Sequence, residues 1–126
     1  MKIIKNIIHL FLFIFSFHSC AQNDSAETMT NQEFKERINK NDSTMVILDV
    51  RTMDELKGAL PKIGGAIHIP IQELKNRVGE LEQFKNKEIT VVCRTQNRST
   101  FAAKYLREKG YNAKSVNGGM MEYYKK

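Results

Sequence analysis

Residues of the types that bind metals are scarce in this sequence of 126 residues, which contains two cysteines and three histidines. They form no cluster with the spacing of a metal site, and no glycine-rich phosphate-binding motif is present. We therefore expect neither a metal nor an organic cofactor. Internal repeats and low-complexity tracts are also absent. The only histidine beyond the N-terminal segment, His68, lies among apolar residues, so we expect it to have a structural role.

An excess of acidic residues is also lacking, because 20 lysines and arginines outnumber 14 aspartates and glutamates and give a formal net charge of +6. The lysines are scattered, and no basic run alternates with aromatic residues, so the pattern does not favour nucleic-acid binding. A mildly basic protein of this kind is better suited to an anionic substrate or a membrane surface.

The N-terminal segment lacks acidic residues, and its apolar run is too short to cross a membrane comfortably. Lys2 and Lys5 precede an apolar stretch at residues 7–17, whereas a membrane-spanning helix needs roughly 20 residues. A basic start followed by a short apolar stretch is typical of a secretory signal peptide. The stretch ends in Phe17-His18-Ser19-Cys20, which resembles a bacterial lipobox, where the cysteine is lipidated and becomes the new N-terminus.

This pattern predicts a signal peptide at residues 1–19, a lipid-anchored flexible tether at 20–28 and a single domain at 29–126. The protein would be exported and lipid-anchored through Cys20, at the periplasmic face of a membrane or at the cell surface. The alternative is an uncleaved anchor, or an ordinary signal peptide in which Cys20 is incidental. If Cys20 carries lipid, Cys93 has no partner for a disulfide and is an unpaired thiol.

The remainder of the chain alternates between β-branched apolar runs and segments with helical periodicity. Strands are predicted at 45–48, 66–69, 89–92 and 113–116, and helices at 31–39, 71–84, 98–109 and after Gly118-Gly119, with a helical turn at 53–57. This order predicts an α/β fold with a small, mainly parallel sheet flanked by helices on both faces. Functional sites in such sheets lie at the carboxyl ends of the strands, where Cys93 is placed.

The segment from Cys93 to Ser99 connects a strand to the start of a helix, and it is rich in charged and polar residues. Helix-start amides are unpaired donors with partial positive charge, and Arg94 and Arg98 add two full charges. This setting favours an anion and a thiolate over a thiol, so we expect Cys93 to be a nucleophile. The alternative is a buried structural cysteine with arginines that point to solvent.

Three blocks, in order and at suitable spacing, resemble those of the rhodanese family of sulfurtransferases and cover most of residues 29–126. The first is Leu48-Asp49-Val50-Arg51-Thr52, followed by Asp54 and Glu55. The second is Gly65-Ala66-Ile67-His68-Ile69-Pro70 and the third is the loop from Cys93 to Ser99, and the closing Asn117-Gly118-Gly119 is also similar. The resemblance implies the rhodanese-like fold, a small parallel sheet flanked by helices. It also implies that Cys93 accepts sulfur as a persulfide.

The resemblance assigns roles to further residues of these blocks. The loop residues would bind the substrate, with backbone amides of 94–98 around the persulfide or incoming anion and the two arginines orienting it; these residues are Arg94, Thr95, Gln96, Asn97, Arg98 and Ser99. Asp49 and Arg51 are expected to be structural support behind the loop, hydrogen-bonded and ion-paired.

Gln96 stands where the family usually has glycine. If that position requires a positive φ, a residue other than glycine would cost about 1 kcal/mol or more. Four residues separate Cys93 from Arg98, whereas phosphatases and arsenate reductases of related fold have five. The wider loop suits a tetrahedral oxyanion and the tighter one a single extra sulfur, so the spacing favours sulfur transfer over phosphate hydrolysis.

Two functions follow from these observations. The first is a sulfurtransferase that moves sulfane sulfur from a small anionic donor such as thiosulfate to a thiol or cyanide acceptor. The second is a low-turnover module that binds sulfur, an anion or a partner, and the unusual Gln96 favours it. In either case we expect a monomer that contacts the membrane through its lipid anchor.

Overall fold

The structure is a computed structural model that describes residues 24–126. The predicted signal peptide at 1–19 and the predicted lipidation site Cys20 lie outside the described residues. In chain order the elements are α1 (Asp24–Glu27), β1 (Thr28–Met29), α2 (Asn31–Asn39), β2 (Met45–Asp49), α3 (Met53–Leu56), β3 (Ile67–His68), α4 (Leu74–Arg77), β4 (Glu88–Val92), α5 (Asn97–Glu108), β5 (Asn112–Val116) and α6 (Gly119–Tyr123). Two 3-10 segments, Ile71–Glu73 and Val78–Phe84, flank α4.

The strands form one five-stranded sheet in the order β1-β5-β4-β2-β3, and every neighbouring pair is parallel. The central strand β4 is buried on both faces. Ile89 and Val91 join a core with α4 and α5, whereas Val92 joins a second core with α2 and α6. This arrangement confirms the predicted α/β fold, because a parallel sheet needs helices on both faces to cover its apolar side chains.

Helix α2 begins as the sequence predicts, because the Thr30 side chain accepts a hydrogen bond from the backbone N–H of Glu33 at 3.1 Å. Met29 before the cap and Phe34 within the helix are both buried in the same core. This is the arrangement of a capped helix start with a hydrophobic staple.

The prediction of one continuous helix at 71–84 is wrong. The segment instead forms a 3-10 turn, one turn of α-helix and a longer 3-10 stretch. Gly79 weakens an α-helix at this point. The apolar side chains of Val78, Leu81 and Phe84 recur every three residues, which matches the three residues per turn of a 3-10 helix. Leu81 is fully buried, so the tighter turns still deliver their apolar side to the core.

The part of the predicted tether from Asp24 onward has regular secondary structure. Thr28 and Met29 pair with Ser115 and Val116 at the free edge of β5. Such an edge pairing uses backbone groups, so the polar composition of the segment gave no sign of it. Within residues 24–126, no helix is both long and apolar enough to cross a membrane.

Candidate functional site

Cys93 directly follows the central strand β4, and α5 begins four residues later. Its side chain lies at the carboxyl end of the sheet and is almost completely buried, with 1% of the residue exposed. The backbone N–H of Ser99 donates to Sγ at 3.4 Å, and the Ser99 hydroxyl oxygen lies 3.5 Å from Sγ. The start of α5 therefore folds back over the thiol and contributes a hydrogen-bond donor to it.

The loop between the thiol and the helix has unpaired backbone donors. Within the described part of the chain, the N–H groups of residues 94–98 donate to no acceptor. They lie at the N-terminal end of a helix of 12 residues, where the helix dipole adds partial positive charge. The arrangement can stabilise negative charge beside Sγ.

The backbone of this loop is held from the other side by the turn that begins α6. The N–H of Met120 donates to the Cys93 carbonyl oxygen at 2.9 Å, and that of Met121 donates to the Arg94 carbonyl oxygen at 2.9 Å. Gly119 lies so close that a Cβ there would be 2.0 Å from the Thr95 carbonyl oxygen. Only glycine fits at this contact, which explains the closing glycine in physical terms.

Gln96 does not have the backbone strain that its replacement of glycine suggested, because its φ is −155° and lies outside the left-handed region. Its side-chain Oε1 accepts a hydrogen bond from the N–H of Gly118 at 3.1 Å. Its carbonyl oxygen accepts from the N–H of Thr100 at 2.9 Å and from the Ser99 hydroxyl at 3.0 Å. The residue thus contacts both the helix that follows the loop and the turn that supports it.

Arg98 is neutralised by Glu55, a residue of the first block to which the sequence assigned no role. Its two terminal nitrogens donate to the two oxygens of Glu55 at 2.6 and 2.7 Å. The hydrogen bond from Arg98 is the largest cause that lowers the pKa of Glu55 to about 2, and Thr52 adds to it. The same pairing raises the pKa of Arg98 above its usual value. The spacing of Thr52 and Glu55, which form the capping box of α3, was the available signal.

Arg94, by contrast, keeps its charge available. The residue is exposed, and its guanidinium makes no hydrogen bond or ion pair with residues 24–126. Thr95 and Asn97 are exposed beside it. Of the two loop arginines, Arg94 is therefore the one that is free to meet an incoming anion.

Asp49 and Arg51 form a buried ion pair at the end of β2, the strand next to β4. The Nη2 of Arg51 donates to Asp49 Oδ2 at 2.7 Å, and both side chains are 1% exposed. Another Arg51 nitrogen donates to the Leu60 carbonyl oxygen at 2.6 Å, and the ring of His68 lies 2.7 Å from the Arg51 carbonyl oxygen. The pair thus holds the loops at this end of the sheet together. Within residues 24–126, no group of side chains could hold a metal ion.

Comparison with known proteins adds to this geometry. The rhodanese-like domain family matches residues 30–126. YrkF of Bacillus subtilis, whose name describes a sulfur carrier protein, is 33% identical over 75% of this chain and 48% of its own length. YtwF of the same organism, whose name describes a sulfurtransferase, is 34% identical over 71% of this chain and 82% of its own. The chain therefore spans about half of YrkF and most of YtwF.

A solved structure agrees with these sequence matches. A rhodanese-related protein from Thermoplasma volcanium is 32% identical, with a TM-score of 0.66 over 77% of this chain and 89% of the other. This structural similarity therefore extends over about three quarters of the chain.

Proposed function

Because this chain belongs to the rhodanese-like domain family, we propose that it is a sulfurtransferase that carries sulfane sulfur as a persulfide on Cys93. The donor is a small anion such as thiosulfate, and the acceptor is a thiol or cyanide. The observation that carries the proposal is the set of unpaired N–H groups at residues 94–98 beside a thiol at the end of β4. They can stabilise the charge of the thiolate before transfer and of the persulfide after it.

The proposed reaction is a double displacement. The Cys93 thiolate attacks the outer sulfur of thiosulfate, an S–S bond forms on the enzyme, and the sulfur–sulfur bond of the donor breaks. Sulfite leaves with the electron pair of that bond, and the negative charge of the new persulfide lies on its outer sulfur. Cyanide or a thiolate then attacks the outer sulfur and regenerates the Cys93 thiolate. No oxidant, metal or general base enters this balance.

The two loop arginines have different parts in this proposal. Arg94 has no partner among residues 24–126 and draws the anionic donor toward the thiol. Arg98 is bound by Glu55 on both oxygens, so it orders the start of α5 and contributes little net attraction for an anion. The nearly buried position of Cys93 restricts access to donors with a slender reactive atom, such as a terminal sulfur.

The mass of the protein before and after incubation with thiosulfate tests this proposal. Wild type should gain the mass of one sulfur atom and lose it on addition of cyanide, which should appear as thiocyanate. Cys93→Ser should neither gain sulfur nor turn over, since a hydroxyl is a far weaker nucleophile at neutral pH. Cys20→Ala is the matched control and should load normally. Sulfur loading in Cys93→Ser would remove the mechanism.

A second function, a low-turnover binding module, is favoured by the burial of Cys93 and by the neutralisation of Arg98. Such a module would take up one sulfur, or bind an anion, without repeated turnover. Thiocyanate release with thiosulfate and cyanide both in excess distinguishes the two functions. A sulfurtransferase should release many thiocyanate molecules for each protein molecule, whereas a binding module should release at most one.

The proposal also includes export and lipidation at Cys20, which rest on the sequence alone. Expressed as the full chain in a bacterium, the wild-type protein should sediment with membranes, and Cys20→Ala should not. Cys93→Ala removes the other thiol and should behave as wild type. Equal membrane association of wild type and Cys20→Ala would contradict the anchor.

A further inference from the structure

We propose that Gln96 is a positioning residue, which fixes the shape of the Cys93 loop by accepting a hydrogen bond from the N–H of Gly118. The inference rests on the proposed sulfur transfer, because it concerns the loop amides that would hold the transferred sulfur. It also reverses the expectation that a residue other than glycine at this position strains the loop.

The contacts of Gln96 bridge two elements that approach the loop from opposite sides. Its carbonyl oxygen accepts from Ser99 and Thr100 in the first turn of α5. Its side chain accepts from Gly118 in the turn that precedes α6. Glycine at position 96 would keep the first set of contacts and lose the second.

The turn on the far side of this hydrogen bond is itself fixed. The side chain of Asn31, in α2, donates to the carbonyl oxygens of Asn117 and Gly119 at 2.9 and 3.0 Å. Met120 and Met121 donate to the first two carbonyl groups of the loop. Gln96 therefore connects the middle of the loop to a support that already holds its beginning.

Gln96 differs in this respect from its neighbours. Arg94, Thr95, Gln96 and Asn97 are all exposed, and among them only the side chain of Gln96 hydrogen-bonds to a distant part of residues 24–126. Among residues 24–126, the five consecutive N–H groups of 94–98 have no acceptors that would hold them in place. Without the contact to Gly118, the orientation of the central amides would depend only on the contacts of the Arg94 and Gln96 carbonyl oxygens, and its freedom would increase.

A loosened loop should affect the two halves of the reaction differently. Loading converts a thiolate into a persulfide, whose outer sulfur needs the aligned amides, so loading should slow. Unloading starts from that persulfide and returns the charge to Sγ, which still accepts a hydrogen bond from the N–H of Ser99, so attack by the acceptor should not slow. A general loss of folded protein would lower both half-reactions equally.

Three replacements of Gln96 separate these effects. Gln96→Met has a similar length but no acceptor, Gln96→Gly restores the residue common in the family, and Gln96→Glu keeps an oxygen at the same position. Gln83→Met is the matched control, because Gln83 is an exposed glutamine whose side chain donates to the Glu80 carbonyl oxygen, three residues earlier, and not to the Cys93 loop. Each variant is made in the full chain that also carries Cys20→Ala. This second substitution removes the predicted lipidation site and keeps the protein in solution.

Two readouts are independent of activity. Amide hydrogen exchange at Gly118 should be about five-fold faster in Gln96→Met and Gln96→Gly, the factor expected for one net hydrogen bond. The ¹⁵N order parameters of residues 94–97 should fall from near the rigid value of about 0.85 toward the flexible range below about 0.6. Gln96→Glu should keep both values, since its carboxylate accepts the same hydrogen bond.

The kinetic readout is the donor and acceptor kcat/KM measured in the ping-pong reaction of thiosulfate and cyanide. Gln96→Met and Gln96→Gly should lower the donor value about five-fold, in line with one lost hydrogen bond, and leave the acceptor value unchanged or higher. Gln83→Met should change neither value. Unchanged exchange and order parameters in Gln96→Met, or a higher donor value in Gln96→Gly, would overturn the inference.

The failure of the proposed function has a different signature. If thiosulfate loads no sulfur on wild type, the sulfurtransferase proposal fails, while Gly118 exchange and loop order still decide whether Gln96 holds the loop. A parallel fall of donor and acceptor kcat/KM together with a lower melting temperature would reject a positioning role and assign Gln96 to folding alone.

Discussion

Replacing Gly119 by alanine should disable the Cys93 loop, and the structure gives the size of the perturbation. A Cβ at this position would lie 2.0 Å from the Thr95 carbonyl oxygen and 2.5 Å from the Cys93 carbonyl oxygen, whereas ordinary contacts begin at 3.4 Å. Both atoms are backbone, so no side-chain rotation can relieve the clash. The loop must move by roughly 1 Å or more, a displacement that can lower a catalytic rate about 100-fold.

Gly110 provides the matched control. Its φ is +89° and that of Gly119 is +55°, but a Cβ at Gly110 would meet no atom within 4 Å. Gly110→Ala therefore introduces the strain of a left-handed backbone conformation, about 1–2 kcal/mol, and no steric clash of the new Cβ. The difference between the two variants isolates the contact between Gly119 and the loop.

Both variants are compared with wild type by urea unfolding and by turnover of thiosulfate and cyanide. Gly110→Ala should lose about 1–2 kcal/mol of unfolding free energy and keep its rate in the folded protein. Gly119→Ala should lose more stability and about 100-fold in the donor kcat/KM. If the two variants have the same stability and the same rate, the close packing of Gly119 against the loop does not constrain the site.

Three further predictions concern charged groups. Pairing with Arg98 lowers the pKa of Glu55 from 4.5 to about 2. The pair should therefore stabilise the fold fully above pH ~4.5, and this contribution should be lost as the pH falls through about 2. In urea unfolding measured against pH, the free energy of unfolding of Glu55→Gln should fall less steeply toward acid pH than that of wild type. Arg94→Ala should raise the KM for thiosulfate about three- to ten-fold at low salt and less at high salt, and Arg94→Lys should retain most of the affinity. Asp49→Asn should cost about 3–5 kcal/mol in urea unfolding, since it leaves Arg51 buried without its charge partner, and a loss below ~1 kcal/mol would contradict this role.

Much of the fold was predictable because the sequence patterns that mark its helices and strands involve residues only a few positions apart. Thr30 and Glu33 mark the start of α2 through a contact three residues apart, and the β-branched run that includes Val91 marks a strand buried on both faces. The segment at 71–84 was harder, because apolar positions spaced three or four residues apart fit either helix type. Only the packing against the core distinguishes them.

The site was predictable in its chemistry and less so in its contacts. Cys93 could be placed at a strand end from the order of elements alone. The ion pair of Arg98 with Glu55 spans 43 residues of sequence, and the hydrogen bond of Gln96 with Gly118 spans 22. Periodicity and capping patterns describe neighbours within a few residues, so they give no information on which distant side chain meets the loop.

The turn at Gly118-Gly119 has a consequence for the order in which the protein matures during synthesis. The loop after Cys93 is supported by Gly118, Gly119, Met120 and Met121, which follow Gln96 by 22 residues or more and are therefore synthesised after the loop. The same turn is bound by Asn31, 86 to 88 residues earlier, so the two ends of the domain meet there. When Cys93 has emerged from the ribosome and this turn has not, the loop that surrounds the thiol lacks its supporting contacts. Long-range contacts of this kind form late, after the loop-closure entropy has been overcome. The reactive group should therefore acquire its working environment only after this turn has been synthesised and has packed against the loop.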